Sequence, residues 1–211
     1  MFLMFVLAMT VAMPTSYAQA QLSKKDTKAI EKSAKKEAKQ LKKDGWKVTP
    51  GSLPMERQLT ESYLLQMEKD EQGLSKNFSG QAMSVGENFD AAYTQAGALA
   101  KTDIAGKVET LVMGNVKSHV DNGQLSKKQA ASVTETISSS KSTIAQHLGQ
   151  VIMPVTFYRE LDNGNVEVRV MSYYSKVSAE EIVKDELRKS LRSKAAELNL
   201  DNDVIEEILD F

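Results

Sequence analysis

The chain has 211 residues, enough for one well-packed domain with appended helices. An apolar share of 41 % and a charged share of 26 % rule out wholesale disorder, and a formal net charge of -1 gives no whole-molecule attraction to nucleic acid or anionic lipid. Cysteine is absent, which excludes disulfides, thiolate metal sites and cysteine nucleophiles.

The chain opens on an apolar run from Phe2 to Met13, interrupted only by Thr10. It is shorter than the roughly twenty residues that span a bilayer. Pro14 and a few polar residues lead to Ala18-Gln19-Ala20, where small side chains stand at the two positions that face a signal peptidase pocket. Residues 1–20 therefore read as a secretory signal peptide cut between Ala20 and Gln21, although no Lys or Arg precedes the apolar run. No later segment approaches membrane-spanning length. The expectation is an exported protein, periplasmic or extracellular.

From Lys24 the text KKDTKAIEKSAKKEAKQLKKDGW is helical, with Ile30, Ala34, Ala38 and Leu41 as one thin apolar stripe among lysines. Gly45 ends it, because glycine takes the left-handed conformation without a Cβ clash. So thin a stripe predicts a semi-independent basic arm. Trp46, the only tryptophan, follows the helix stop and reads either as a clasp on the core or as a ligand-stacking ring. Ser52-Leu53-Pro54 opens a second helix with Met55, Leu59, Tyr63 and Met67 on its buried side. The alternation in NFSGQAMSVG predicts a strand with Ser79, Gln81, Met83 and Val85 on one face.

A long helix after Gly86 carries Phe89, Ala92, Ala96, Leu99, Ala100, Ile104, Val108 and Leu111 along one face. Ala92, Ala96 and Gly106 are small enough to let it lie close to a sheet. It breaks at Asp121-Asn122-Gly123, and another helix starts near Ser126 with Ala130, Val133, Ile137 and Ile144 inward. Two alternating runs then flank Asn163-Gly164, the dipeptide best suited to a two-residue hairpin turn. That turn sets Leu161 opposite Val166 and Phe157 opposite Val170, and Pro154 marks a sheet edge or a bulge. Ser178 with Glu181 forms a capping box for the last long helix, and a short helix follows Asp201.

These elements divide the chain into the signal peptide, a basic helical arm with the second helix over residues 21–75, and an α+β domain with C-terminal helices over residues 76–211. The fold class expected is α+β: an antiparallel sheet of about three strands, the long Ala-rich helix and further helices on one face, plus the N-terminal arm.

Motifs that carry chemistry are sparse. His119 and His147 lie far apart, without carboxylates at helical ligand spacing, and no HExxH, calcium loop or phosphate loop occurs. Ser138-x-x-Lys141 has the spacing of serine–lysine acylases, but Ser33-x-x-Lys36 repeats it and the companion motifs are missing. Glu160 and Glu167 are expected to face each other across the hairpin with Arg169 diagonal, solvated rather than tuned for acid–base work. The expectation is a non-enzyme without cofactor or metal.

The span from Ser79 to Tyr174, with its strand ending in Val85-Gly86, its alanine-spaced helix and its return hairpin VTFYRELDNGNVEVRVMSYY, resembles the small bacterial envelope lipoprotein family. That family's domain is in turn similar to the N-terminal part of a flagellar T-ring assembly protein. The stretch KKEAKQLKKDGWKVTPGSLPMERQL resembles one in uncharacterised exported proteins of the Bacteroidetes. The resemblance implies an exported, non-enzymatic protein associated with the envelope. Lipid anchoring does not carry over, because no cysteine follows the leader. The function expected is contact with another envelope protein or polymer, with no nucleic acid partner. The alternative is a small-ligand or glycan-binding module near Trp46, Tyr158, Tyr173 and Tyr174.

Overall fold

The computed structural model describes residues 23–210. The signal-peptide expectation, with its cleavage residues Ala18, Ala20 and Gln21, lies outside the described residues. Within them, seven helices surround a three-stranded antiparallel sheet, so the chain has an α+β fold.

Helix α1 (Lys24–Lys43) starts where the Ser23 side chain accepts from the Asp26 amide. It stops in a Schellman turn: the Trp46 N–H donates to the Leu41 carbonyl at 3.0 Å, and Gly45 sits at φ 85°. Helix α2 (Met55–Met67) follows, then strand β1 (Asn77–Gly86) and the long helix α3 (Phe89–Asp121). Helix α4 (Lys127–His147) begins in a reciprocal capping box between Ser126 and Gln129. Strands β2 (Ile152–Glu160) and β3 (Val166–Ser175) form the hairpin, and the sheet order is β1-β3-β2. Helices α5 (Lys176–Ser193), α6 (Ala195–Leu198) and α7 (Asn202–Ile208) close the chain.

The helices divide between the two faces of this sheet. Val168 and Val170 of β3 pack with Ala92, Ala96 and Ala100 of α3. Side chains of a strand alternate, so the intervening Met171 and Tyr173 point the other way. There they meet Ala34, Ala38 and Leu41 of α1, Trp46, and Met55 and Leu59 of α2, together with Val155 and Phe157 of β2. The thin stripe of α1 is thus one wall of a buried layer, not a free arm. Alanines bury little area each but let the helix axis approach closely. Residues of the 21–75 segment and of the hairpin share this core.

The long helix turns a slightly different face inward from the one its sequence suggests. Ala92, Ala96, Ala100, Ile104, Val108, Val112 and Val116 are buried, whereas Leu99 and Leu111 are exposed. The buried residues keep a four-residue step, which drifts about 40° per step around a helix of about 3.6 residues per turn. The stripe therefore winds from the sheet at Ala92, Ala96 and Ala100 to the helical core at Ile104, Val108, Val112 and Val116. The close approach to the sheet is made possible by Gly80 of β1: a Cβ there overlaps the Ala100 carbonyl oxygen and comes within 2.9 Å of Ile104 Cγ1. Gly106 instead faces α4, where it leaves room for the Lys141 side chain.

The hairpin register differs by one residue from the two-residue turn. Glu160 pairs with Val166, Phe157 with Arg169 and Arg159 with Glu167. The Gly164 amide donates to the Leu161 carbonyl at 2.9 Å and the Leu161 amide to the Asn165 carbonyl at 2.8 Å, which makes a three-residue loop with Gly164 at φ 83°. Asn163 is held out of the left-handed region by its side chain, which accepts from the Asn165 amide at 3.1 Å. The pair of opposed glutamates is therefore replaced by an ion pair, Arg159 to Glu167 at 2.6 Å.

Both sheet edges are partly closed by groups other than strands. On β2, Pro154 has no amide proton and a register shift separates Ile152 from Val155; Gln58 accepts from the Thr156 amide at 2.9 Å, and Lys47 pairs with Tyr158 as a single β-bridge. On β1, Asp103 accepts from the Gln81 amide at 3.1 Å, and Lys107 donates to the Ser79 carbonyl.

Two local expectations shift at the helix ends. Ser175 rather than Ser178 caps α5, accepting from the Ser178 amide, because pairing with β1 carries β3 as far as Ser175. On α2, Gln58 and Ser62 are buried while Met67 is exposed, since the helix offers polar groups to the sheet edge and to Tyr173. The last helices are held by Leu187, Leu191, Ile205 and Ile208 in the core and by the Arg188 guanidinium, which forks onto Glu206 at 2.8 and 2.9 Å.

Between α1 and α2 the Tyr63 hydroxyl donates to Glu37, which also faces Arg169 at 3.7 Å. Burial and then the Glu37 carboxylate push the Tyr63 phenol up to about 12. Its ordinary value is about 10, so the native state holds this proton more tightly than the unfolded chain does. The stabilisation is complete below about pH 10 and is lost as pH rises toward 12. Absorbance titration is expected to show Tyr63 ionising late alongside Tyr173, whose phenol burial also raises. Tyr63→Phe is expected to remove one tyrosine from the late step and flatten the loss of stability above about pH 10.

Candidate functional site

The four aromatic residues singled out for contact do not form one platform. Trp46 is only 7 % exposed and lies in the α1/α2 layer, covered by the Arg159 guanidinium with its central carbon 4.7 Å from the ring centroid. Tyr173, 1 % exposed, belongs to the same layer; its hydroxyl shares a 2.8 Å hydrogen bond with Ser62. Tyr158 points to the opposite face, edge-on to Phe89 at 5.6 Å, and Phe89 stacks on Tyr93. Tyr174 packs beside the α3–α5 core on that face as well. Trp46 and Tyr173 therefore act as packing groups on one side of the sheet, and Tyr158 and Tyr174 on the other.

The serine–lysine pair is bridged by a third group. Ser138 Oγ donates to one oxygen of Glu109 at 2.7 Å, and Lys141 Nζ lies 3.3 Å from the other. A serine nucleophile needs a neutral amine to take its proton. Here the half-buried carboxylate partners the ammonium and accepts the hydroxyl, so the three residues tie α3 to α4. His119 lies 2.6 Å from Gln124 and His147 3.1 Å from Glu186, each near the end of its helix. Among the described residues no group of three or more histidines and carboxylates is placed to hold a metal ion.

The concave surface lies elsewhere, around the start of β2. A cavity of about 530 Å³ opens between α3 and α4, with Tyr93, Gly97, Ala98, Ala145 and Met153 among its walls. Its polar rim includes Lys101, which donates to the Gly149 carbonyl at 2.5 Å, and Gln146. A second cavity of about 500 Å³ opens on the other side of the strand, between Leu64 and Leu65 of α2 and Ile152, Met153 and Pro154. Met153 borders both, and Ile152 beside it is 57 % exposed. The sequence carries one trace of this feature: Val151-Ile152-Met153 is an apolar run that breaks the alternation of the strand it opens.

A third cavity, about 570 Å³, lies at the outer edge of β1, where the end of α2, the middle of α3 and the first residue of α5 converge. Lys69, Lys107 and Lys176 line it from three separate segments, with Phe78 and Leu111 as apolar wall. Nothing in the local sequence marks these lysines, because their neighbourhood is made by the fold.

No protein-family model, no curated protein and no solved structure matches this chain. No described helix is long and apolar enough to cross a membrane.

Proposed function

We propose that this is an exported, non-catalytic envelope protein that works by contact with another envelope protein, and that the contact is made across the ridge of Ile152 and Met153. The observation that carries this reading is the pair of apolar cavities on either side of Met153. At about 530 and 500 Å³, each has room for several apolar side chains, and exposed apolar ground of this kind on a folded protein marks an interaction surface. The hydrogen-bonding edge of the same strand is occupied by Pro154, Gln58 and Lys47, so the partner engages through inserted apolar side chains rather than by adding a strand. The lipoprotein-like layout of residues 79–174 and the leader-like first twenty residues support the envelope location.

The reading is tested in two steps. Mass spectrometry of the protein recovered from cell fractions is expected to find Gln21 as the mature N-terminus; an uncleaved chain in the cytoplasmic fraction overturns the location. A photoreactive residue at position 153 is expected to crosslink one envelope protein, while the same probe at Asn163 on the hairpin tip does not. Met153→Asp is expected to abolish copurification of that protein with the far-UV spectrum unchanged. Equal crosslinking from both positions, or copurification that survives Met153→Asp, overturns the contact surface.

A further inference from the structure

The lysine-lined cavity at the β1 edge is separate from the Met153 surface and has a different chemistry. Of its three lysines, Lys107 is already engaged: it donates to the Ser79 carbonyl and lies 3.3 Å from Asp103. Lys69 and Lys176 form no ion pair with any described residue; the Lys176 ammonium sits 5.4 Å from the centroid of the Phe78 ring. Glu68 is tied to the rim through Asn77, whose Nδ2 donates to its Oε2 at 2.9 Å. Lys69 and Lys176 thus line one concavity with neither ammonium in an ion pair among the described residues. Lys176 is also the first residue of α5, so the positive end of an 18-residue helix borders the same space.

Phe78, 7 % exposed under the Lys176 ammonium, and Leu111, 43 % exposed, form the apolar part of the wall. Ser75, Asn77 and Ser79 also line the cavity. A ligand that satisfies this surface needs a head carrying close to two negative charges, oxygen atoms that accept from ammonium groups, and an apolar body. A free inorganic anion leaves the apolar wall wet, and an uncharged apolar molecule leaves both ammonium groups unmatched. We propose that this cavity binds a phosphate monoester with an apolar body, its phosphate between Lys69 and Lys176 and its body against Phe78 and Leu111. The same chemistry is presented by a soluble alkyl phosphate and by the head group of a phosphatidate lipid.

Calorimetric titration of the full chain with dodecyl phosphate, below the concentration at which it forms micelles, is expected to show saturable binding of one molecule per chain. Inorganic phosphate is expected to bind at least about tenfold more weakly, and dodecanol not to bind at this site. Lys69→Gln with Lys176→Gln is expected to weaken dodecyl phosphate binding by about a hundredfold, roughly tenfold for each lost charge contact, and wild-type binding is expected to weaken with added salt. Both positions lie at the surface of the cavity, and circular dichroism of the double variant checks that it folds. Leu111→Asp, a second and independent variant, sets a carboxylate against the apolar body of the ligand and is expected to abolish binding. Cosedimentation with phosphatidylcholine vesicles containing phosphatidate, and none with phosphatidylcholine alone, assigns the ligand to a membrane; binding of the soluble ester without cosedimentation assigns it to a free metabolite. Either result upholds the site. Dodecanol binding as tightly as dodecyl phosphate, or affinity unchanged in the double lysine variant, overturns it.

Discussion

Gly80→Ala is expected to destabilise the protein by about 3 kcal/mol or more, which is overpacking at a contact that cannot relax cheaply. The added methyl meets the carbonyl oxygen of Ala100, a backbone atom in the middle of α3, as well as Ile104 Cγ1 and Ser172 Oγ, both at 2.9 Å. Flexible side chains can swing away, but a helix backbone moves only as a body. Relief would require α3 to lift from β1 and β3, opening the layer that holds Ala96, Ala100 and Val170. Urea denaturation checks this, with Gly114→Ala as the comparison. Gly114 lies in the same helix with open space around it, so alanine there is expected to raise stability by about 0.5–1 kcal/mol. Opposite signs at two glycines of neighbouring elements separate close packing from helix propensity.

The second large effect concerns the other face of the sheet. Trp46→Ala is expected to cost about 3–5 kcal/mol, the range for removing a large buried aromatic. Trp46 packs in one cluster with α1, α2, β2 and β3, under the Arg159 guanidinium. Losing that much is a large fraction of the stability of an ordinary domain. If α1 and α2 were a loosely tethered arm, the variant would leave the main transition in place and change only a small early step. The expected result is one cooperative transition: in the wild type, tryptophan fluorescence and far-UV circular dichroism should trace the same denaturation curve. Two separated curves would show that the N-terminal layer opens independently of the sheet.

Local signals in the sequence are reproduced closely by the structure. Gly45 stops α1, Ser126 caps α4, Asn122 and Gly123 end α3, and Pro154 marks a bulged edge strand. Each of these is decided by a few neighbouring residues. What the sequence did not disclose depends on partners remote in the chain. The alanine stripe of α1 reads the same whether it lies against solvent, a second chain or a sheet. Only the hairpin, more than a hundred residues later, decides between them. The hairpin register turned on a competition at Asn163 between a left-handed backbone and a side-chain bond to the Asn165 amide; the second won and moved every pair by one residue. Of the candidate contact residues, Trp46 was legible as a clasp on the core or a stacking ring, and the structure covers it and Tyr173 with α1, α2 and Arg159. Met153 left a faint mark in the apolar run before Pro154. Lys69, Lys107 and Lys176 left none, because three unremarkable lysines become a group only when α2, α3 and α5 meet at β1.

The separation in sequence between the N-terminal layer and its sheet has a consequence for the order of events during synthesis. Ser62 and Tyr173 share a buried hydrogen bond across 111 residues of chain, and Lys47 reaches Glu160 across 113. Helices α1 and α2 leave the ribosome about a hundred residues before the hairpin that covers Trp46, Met55 and Leu59. Contacts so distant form slowly, because the intervening loop must close before they return any energy. Until then the α1–α2 layer lacks Val155, Phe157, Met171 and Tyr173, which complete its core. A layer that waits on a hairpin made so much later leaves its apolar side chains open to chaperones and proteases in the interval.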